Sequence, residues 1–155
     1  MHRTALTQME AVIFIGVQGA GKTSFYRERL LATHLRISLD ELRTRQREQV
    51  ALRRCLQTQQ SFVVDNTNPM VSDRTRYIGP ARAAGFRVVA FWFESSLQDA
   101  MRRNNARQGK QKIPIPAIVA TFRKLQRPQL QEGFDEIHLV TISPDGSFIV
   151  KPEFA

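Results

Sequence analysis

The chain has 155 residues, 42% of them hydrophobic and 24% charged, which is one domain's worth of sequence with enough apolar material for a single core. Wholesale disorder is excluded by that composition, and a membrane span by the lack of any apolar run near the ~20 residues that a bilayer crossing needs. Lys and Arg number 23 against 14 Asp and Glu, and the net charge of +9 favours polyanionic partners, either nucleic acid or phosphorylated metabolites.

The single cysteine, Cys55, excludes an intramolecular disulfide framework and fits a reducing compartment. Flanked by Leu52 and Leu56 in a helical pattern, it reads as a buried structural thiol. The N-terminus lacks the apolar core of a secretory signal, so the expectation is a cytoplasmic protein forming one domain over residues 1–155.

Short apolar runs alternate with helical patterns from end to end. "AVIFI" (11–15) is β-branched without polar alternation, the signature of a buried strand. A helix is predicted over 22–33, a short strand at "LRIS" (35–38), and a long amphipathic helix over 40–59 opened by Ser38 and Glu41 in capping-box spacing. "SFVV" (61–64) is the next strand, followed by a turn at "DNTNP" and a helix over 71–84. The longest apolar strand is "FRVVAFWF" (86–93), whose Phe91, Trp92 and Phe93 read as core. Helices follow at 96–108 and 116–126, and "EIHLVTI" (136–142) and "SFIVK" (147–151) flank the turn "SPDG" as a terminal hairpin. Strands alternating with helices predict an α/β fold, a mostly parallel sheet covered on both faces, with ligands at the carboxyl ends of the strands.

"GVQGAGKTS" (16–24) stands directly after the first strand and satisfies G-x-x-x-x-G-K-[ST]. Gly16, Gly19, Ala20 and Gly21 let successive backbone N–H groups turn toward a phosphate, and the following helix offers its positive end. Lys22 reaches the β- and γ-phosphates, the Thr23 hydroxyl ligates magnesium, and Ser24 completes the set. A nucleotide with its Mg2+ is the implied ligand, and the fold class becomes a P-loop NTPase, kinase-type three-layer sandwich.

Two acids stand near the same sheet edge. Asp65, after the third strand, suits magnesium and orientation of a nucleophile, or an Asx turn, since "DNTNP" is turn chemistry throughout. Asp40, after the second strand, is placed to accept a proton from an attacking hydroxyl, or to serve the helix macrodipole as a first-turn acid.

Together these residues resemble the kinase domain of polynucleotide 5′-hydroxyl kinases, the end-healing enzymes of nucleic-acid repair, and most of all that of the animal bifunctional kinase/phosphatase. The resemblance runs from about Val12 to Val140. It is carried by "GVQGAGKTSF", "VVDNTNP" (63–69) with "RTRY" and "ARAAG" behind it, "RRNN" (102–105), "IPIP" (113–116) and "FRKLQRPQLQEGFDEI" (122–137). It implies Asp40 as general base, although Ser38 and Leu39 differ from the Asn-Arg that precedes the family's aspartate. Arg43 would contact a substrate phosphate and Asp65 would be the acid of the Asp-Asn-Thr-Asn motif. The lid arginine is matched by Arg107 or Arg103. "PDGS" (144–147) lacks the first aspartate of the family's phosphatase motif, so the resemblance implies a stand-alone kinase.

The expected activity is therefore transfer of the γ-phosphate of ATP, with Mg2+, to a 5′-hydroxyl end of DNA or RNA. Arg43, Arg45, Arg47, Arg53 and Arg54 on the second long helix fit either a nucleic-acid surface or a solvated face. A small-molecule P-loop kinase and an NTP-dependent binding switch are the alternatives, the second disfavoured by the presence of Asp40. The basic stretch "RRNNARQGKQKIP" (102–114) begins at the end of one helix, breaks at Gly109 and leads into the next, where P-loop kinases carry the helical lid that closes over the triphosphate.

Overall fold

The protein is described from a computed structural model, over residues 8–109 and 112–153. Lys110 and Gln111 of the basic stretch lie outside the described residues. Among the described residues six strands form one sheet in the order β2-β3-β1-β4-β5-β6: β1 (Glu10–Ile15), β2 (Leu35–Ile37), β3 (Phe62–Val64), β4 (Arg87–Phe93), β5 (Glu136–Ile142) and β6 (Phe148–Glu153). The first five are parallel, and β6 pairs antiparallel with β5, the predicted hairpin, with Val140 opposite Val150.

The helices are α1 (Lys22–Arg29), α2 (Leu39–Leu42), α3 (Arg45–Gln57), α4 (Val71–Ala83), α5 (Leu97–Asn105) and α6 (Ile115–Lys124), and they cover both faces of the sheet. Side chains alternate across the pleat of β1. Ala11, Ile13 and Ile15 pack with Leu52 and Cys55 of α3 and Tyr77, Ile78 and Ala81 of α4. Val12 and Phe14 face the other way, toward Phe25 and Tyr26 of α1 and Ala100 of α5. Both faces being buried explains why "AVIFI" shows no polar alternation. Cys55 is buried as expected. Phe93 belongs to the second cluster, whereas Trp92 is half-buried on the first face beneath the Arg127 guanidinium, 4.9 Å from its ring centroid.

The single helix expected over 40–59 is two helices. Arg43 turns into the left-handed region at φ 73 and ends α2, and the Thr44 side chain accepts from the Arg47 amide to start α3 afresh. Thr44 with Glu48 in the following turn was the sequence signal for that second start. The capping box at Ser38 is half made: its side chain accepts from the Asp40 amide, but the Glu41 carboxylate pairs with Arg36 instead of reaching back. Gly21 at φ 95 stands as N-cap of α1, and the helix ends at Arg29, four residues before the expected limit.

The "DNTNP" and "P-x-L-x-E-G-F" segments meet through one side chain. Arg74, fully buried, donates to the carbonyls of Asn68 (3.0 Å), Pro69 (3.1 Å) and Gln126 and to the Glu132 carboxylate (2.9 Å). The Gln126 amide donates to the Pro69 carbonyl at 2.7 Å, and the Val71 amide donates to the Gln126 side chain at 2.8 Å. Two stretches some 60 residues apart thus form one structural clamp behind the carboxyl end of β3. Arg74→Leu leaves the Glu132 charge and the Asn68 and Gln126 carbonyls without their donor, and breaking such a buried pair costs about 3–5 kcal/mol, to be read as the fall in unfolding free energy in urea.

Candidate functional site

The carboxyl ends of β1 and β3 are adjacent because β3 pairs directly with β1, Ile13 opposite Val64. That pairing puts the glycine-rich turn after β1 beside the acid after β3. The turn is tightly seated: the Gly16 amide donates to the Thr67 carbonyl at 3.0 Å. Gly19 has φ 83, and a Cβ there would stand 2.5 Å from the Ala100 carbonyl oxygen of α5. Glycine is required at that position by backbone conformation and space alike.

The Lys22 ammonium folds back onto the loop, donating to the carbonyls of Gly16 (2.9 Å) and Val17 (2.8 Å). The residue is only 8% exposed, and burial pulls its pKa from 10.5 down to about 8. Asp65 acts against that shift, Arg107 reinforces it, and Asp40 acts weakly against it.

Thr23 is the next residue on α1, and its hydroxyl donates to Asp65 Oδ2 at 2.9 Å. A hydroxyl and a carboxylate side by side are hard oxygen donors of the kind magnesium takes, and Asp65 is 2% exposed by side chain. The pair thus fits Mg2+ in its chemistry. One further residue, unforeseen from the sequence, sits on the same oxygens. Arg36 of β2 donates from Nε to Asp65 Oδ2 at 2.8 Å and from a terminal nitrogen to Thr23 Oγ1 at 3.3 Å, while its other nitrogen pairs with Glu41. Its pKa is raised by Asp65 and Glu41, which outweigh the opposing effect of burial.

Asp40 is exposed on α2, the short helix that follows β2. Its position is tied to the loop after β3, because the neighbouring Leu39 amide donates to Asn66 Oδ1 at 2.9 Å. Asn66 in turn donates to Glu48 at 2.9 Å, and the buried Glu48 also accepts from Tyr77 OH (2.9 Å) and Arg45 (2.9 Å). Burial and then Glu48 push the Tyr77 phenol up to about 12. Sequence reading saw Asn66 only as turn chemistry and Glu48 not at all; a lone acid on an arginine-rich helix was the available signal. Glu48, Arg45, Arg53, Arg76 and Tyr77 line a cavity of about 460 Å³ against α3 and α4. Arg43, Arg47, Arg53 and Arg54 are exposed.

The two lid arginines separate. Arg103 of α5 points to the phosphate loop itself, donating toward the Gly19 carbonyl (3.4 Å) and Ser95 (3.2 Å). Arg107, half-buried beyond the end of α5, is the one whose charge acts on Lys22. Between them Asn104 is fully buried and pairs twice with the Ile113 backbone, at 2.7 Å each way, closing the base of the connection from α5 to α6. Ser24 is exposed on α1, and Ala20 is buried in the loop.

A parallel α/β sheet with a glycine loop, phosphate lysine, Thr–Asp pair and helical connection over it defines a P-loop nucleotide-binding domain of the kinase type. The chain belongs to the AAA domain family, whose profile matches residues 12–128. It is similar to a protein of Acanthamoeba polyphaga mimivirus named as a bifunctional polynucleotide phosphatase/kinase (28% identity over 94% of this chain and 36% of that protein). The bifunctional polynucleotide phosphatase/kinase of Schizosaccharomyces pombe is 25% identical over 90% of this chain and 35% of that one. The chain therefore spans about a third of the length of these curated relatives. Among solved structures, a fungal RNA kinase matches with TM-score 0.65 and 15% identity, over 86% of this chain and 38% of that one. The Mycobacterium tuberculosis APS kinase in complex with AMPPNP and APS matches with TM-score 0.55 and 22% identity, over 90% and 91%. No helix among the described residues is long and apolar enough to cross a membrane.

Gly19→Ala forces the added Cβ into the Ala100 carbonyl and a left-handed backbone at once, so nucleotide binding is lost, as titration with a fluorescent ATP analogue will show. Lys22 gives a pH signature. Because its folded pKa lies near 8 and its unfolded value near 10.5, the cost of burying the ammonium is fully present below pH 8 and is relieved as the pH rises through that window. Nucleotide binding runs the other way, since phosphates favour the ammonium. Affinity falls above about pH 8 and binding takes up protons there, measurable by calorimetry in two buffers of different ionisation enthalpy.

Proposed function

We propose that the protein is an ATP-dependent kinase that phosphorylates the 5′-hydroxyl end of a polynucleotide. The observation that carries this reading is the tie between the Asp40 segment and the phosphate-loop pair: the Leu39 amide beside Asp40 donates to Asn66, and the adjacent Asp65 accepts from Thr23, the residue after Lys22. A pure nucleotide switch needs no such acid. The polynucleotide acceptor is supported by the two relatives named for polynucleotide kinase activity and by the net charge of +9.

In this reading the loop amides and Lys22 hold the ATP phosphates, and Arg103 keeps the loop in shape from behind through the Gly19 carbonyl. Thr23 and Asp65 would hold Mg2+, which when bound neutralises phosphate charge. Asp40 accepts the proton of the attacking hydroxyl, held in place by the Leu39 amide on Asn66. Arg107 and Lys22 neutralise charge developing on the transferred group, where preorganised cations matter most. Arg43, exposed beside Asp40 in a left-handed conformation, is offered to an acceptor phosphate. A backbone held in that region at a non-glycine residue is often found at functional sites.

The second reading is a small-molecule kinase, favoured by the fit to APS kinase over nearly the whole of both chains. Incubation with γ-labelled ATP, single- and double-stranded 5′-hydroxyl oligonucleotides and a panel of small polar alcohols separates the two. Label confined to the small compounds would overturn the polynucleotide assignment.

Asp40→Asn is expected to slow transfer about 10²–10⁴-fold while ATP affinity stays within a factor of about two. Arg107→Ala is expected to lower kcat by about 10³. Arg103→Ala should instead weaken ATP binding, as the loop loses its support. Steady-state kinetics beside direct nucleotide titration distinguishes these outcomes; equal loss of kcat in both arginine variants would reject the division of labour.

A further inference from the structure

Arg36 stands where a metal ion would have to work. Its guanidinium donates to Asp65 Oδ2 at 2.8 Å and to Thr23 Oγ1 at 3.3 Å, the two oxygens that fit magnesium, and its side chain is only 15% exposed. The fork is anchored on its other side by Glu41, which is 62% exposed at the start of α2, one residue from Asp40. A cation, a buried acid and a hydroxyl are thus satisfied among themselves, with a second carboxylate within reach of the same guanidinium.

We propose that Arg36 sets the divalent-cation requirement of the protein: it acts as a built-in cation on the Thr23–Asp65 pair, and a magnesium nucleotide binds only by displacing it toward Glu41. The inference rests on the reading above in which Thr23 and Asp65 hold the metal. Its physical basis is charge. A buried carboxylate without a counter-cation is costly, so Arg36 stabilises Asp65 in the nucleotide-free protein. The same guanidinium repels an arriving divalent ion at short range in a poorly solvated site, which raises the magnesium concentration needed. Glu41 makes the displacement feasible, since the arginine gives up Asp65 without losing every ionic partner. It also carries the consequence to α2, because Glu41 adjoins the proposed base.

This role has a signature that a merely structural arginine lacks. With a fluorescent ATP analogue and no acceptor, Arg36→Gln is expected to lower the magnesium concentration for half-maximal nucleotide binding about tenfold, through loss of the repulsion. In EDTA the same variant is expected to bind the analogue more weakly than wild type, because the built-in positive charge is gone. Glu41→Gln should shift the magnesium requirement upward, its arginine having lost the alternative partner. Parallel weakening of Arg36→Gln with and without magnesium, or no change in either condition, overturns the proposal. Asp65→Asn separates the two levels of the argument. If magnesium dependence survives that substitution, the metal pair is misassigned and the Arg36 proposal falls with it; if it is abolished while Arg36→Gln leaves wild-type behaviour, the Arg36 proposal alone is rejected.

Discussion

Asp65 has almost no access to water, yet it follows a strand whose neighbours carry the phosphate loop on one side and the Asp40 segment on the other. One of its carboxylate oxygens receives the Thr23 hydroxyl and the Arg36 guanidinium, and its backbone amide donates to the Ile37 carbonyl. Through those bonds β1, β2 and β3 are held to a common end, and each contributes a different chemical function at that end. An isolated buried carboxylate would neutralise itself by taking a proton. The Thr23 hydroxyl and the Arg36 guanidinium supply the partners that a buried carboxylate requires.

Strand order is what converts that local bond into a site. In the sequence the three functional segments follow β1, β2 and β3, and in the sheet β3 lies between β2 and β1. Asp65 therefore sits between Lys22 and Asp40, and its own loop can reach both ways. It does: Asn66 takes the Leu39 amide on the α2 side, and the Thr67 carbonyl takes the Gly16 amide on the phosphate-loop side. Behind it Asn68 is buried, at φ 45, and donates to the Phe14 carbonyl. Each residue of "DNTN" thus faces a different neighbour, three through side chains and Thr67 through its backbone carbonyl.

The strands were readable because both faces of a parallel sheet demand apolar side chains, which "AVIFI", "FVV" and "RVVAFWF" supply without interruption. The phosphate loop was readable because its glycines and Lys22 are tied to backbone conformation at fixed spacing. The break between α2 and α3 had only the Thr44 helix start to mark it, since the turn before it uses Arg43 at positive φ where a glycine or asparagine would have announced the end of α2. Arg36 and Glu48 were invisible for another reason. A charged residue in a short strand or on a helix rich in arginine reads as solvated, and only the pairing of β2 with β3 and the packing of α3 on α4 give them buried partners. Sequence spacing did not tell Arg103 from Arg107, and the α5 geometry is what gives Arg103 to the loop backbone.

Three positive charges near the loop have protein partners of their own. Lys22 caps the carbonyls of its own loop, Arg103 supports that loop from α5, and Arg36 covers Asp65 and Thr23. Such arrangements lower the electrostatic strain of gathering cations in a confined space, where like charges otherwise oppose folding. They also mean that nucleotide binding exchanges one set of partners for another. The net affinity is then a difference between two well-satisfied states, and it is governed as much by how firmly Lys22 and Arg36 hold their internal partners as by the phosphates they would meet. Burial draws the Lys22 pKa down to about 8, and an incoming anion works against that shift by stabilising the ammonium.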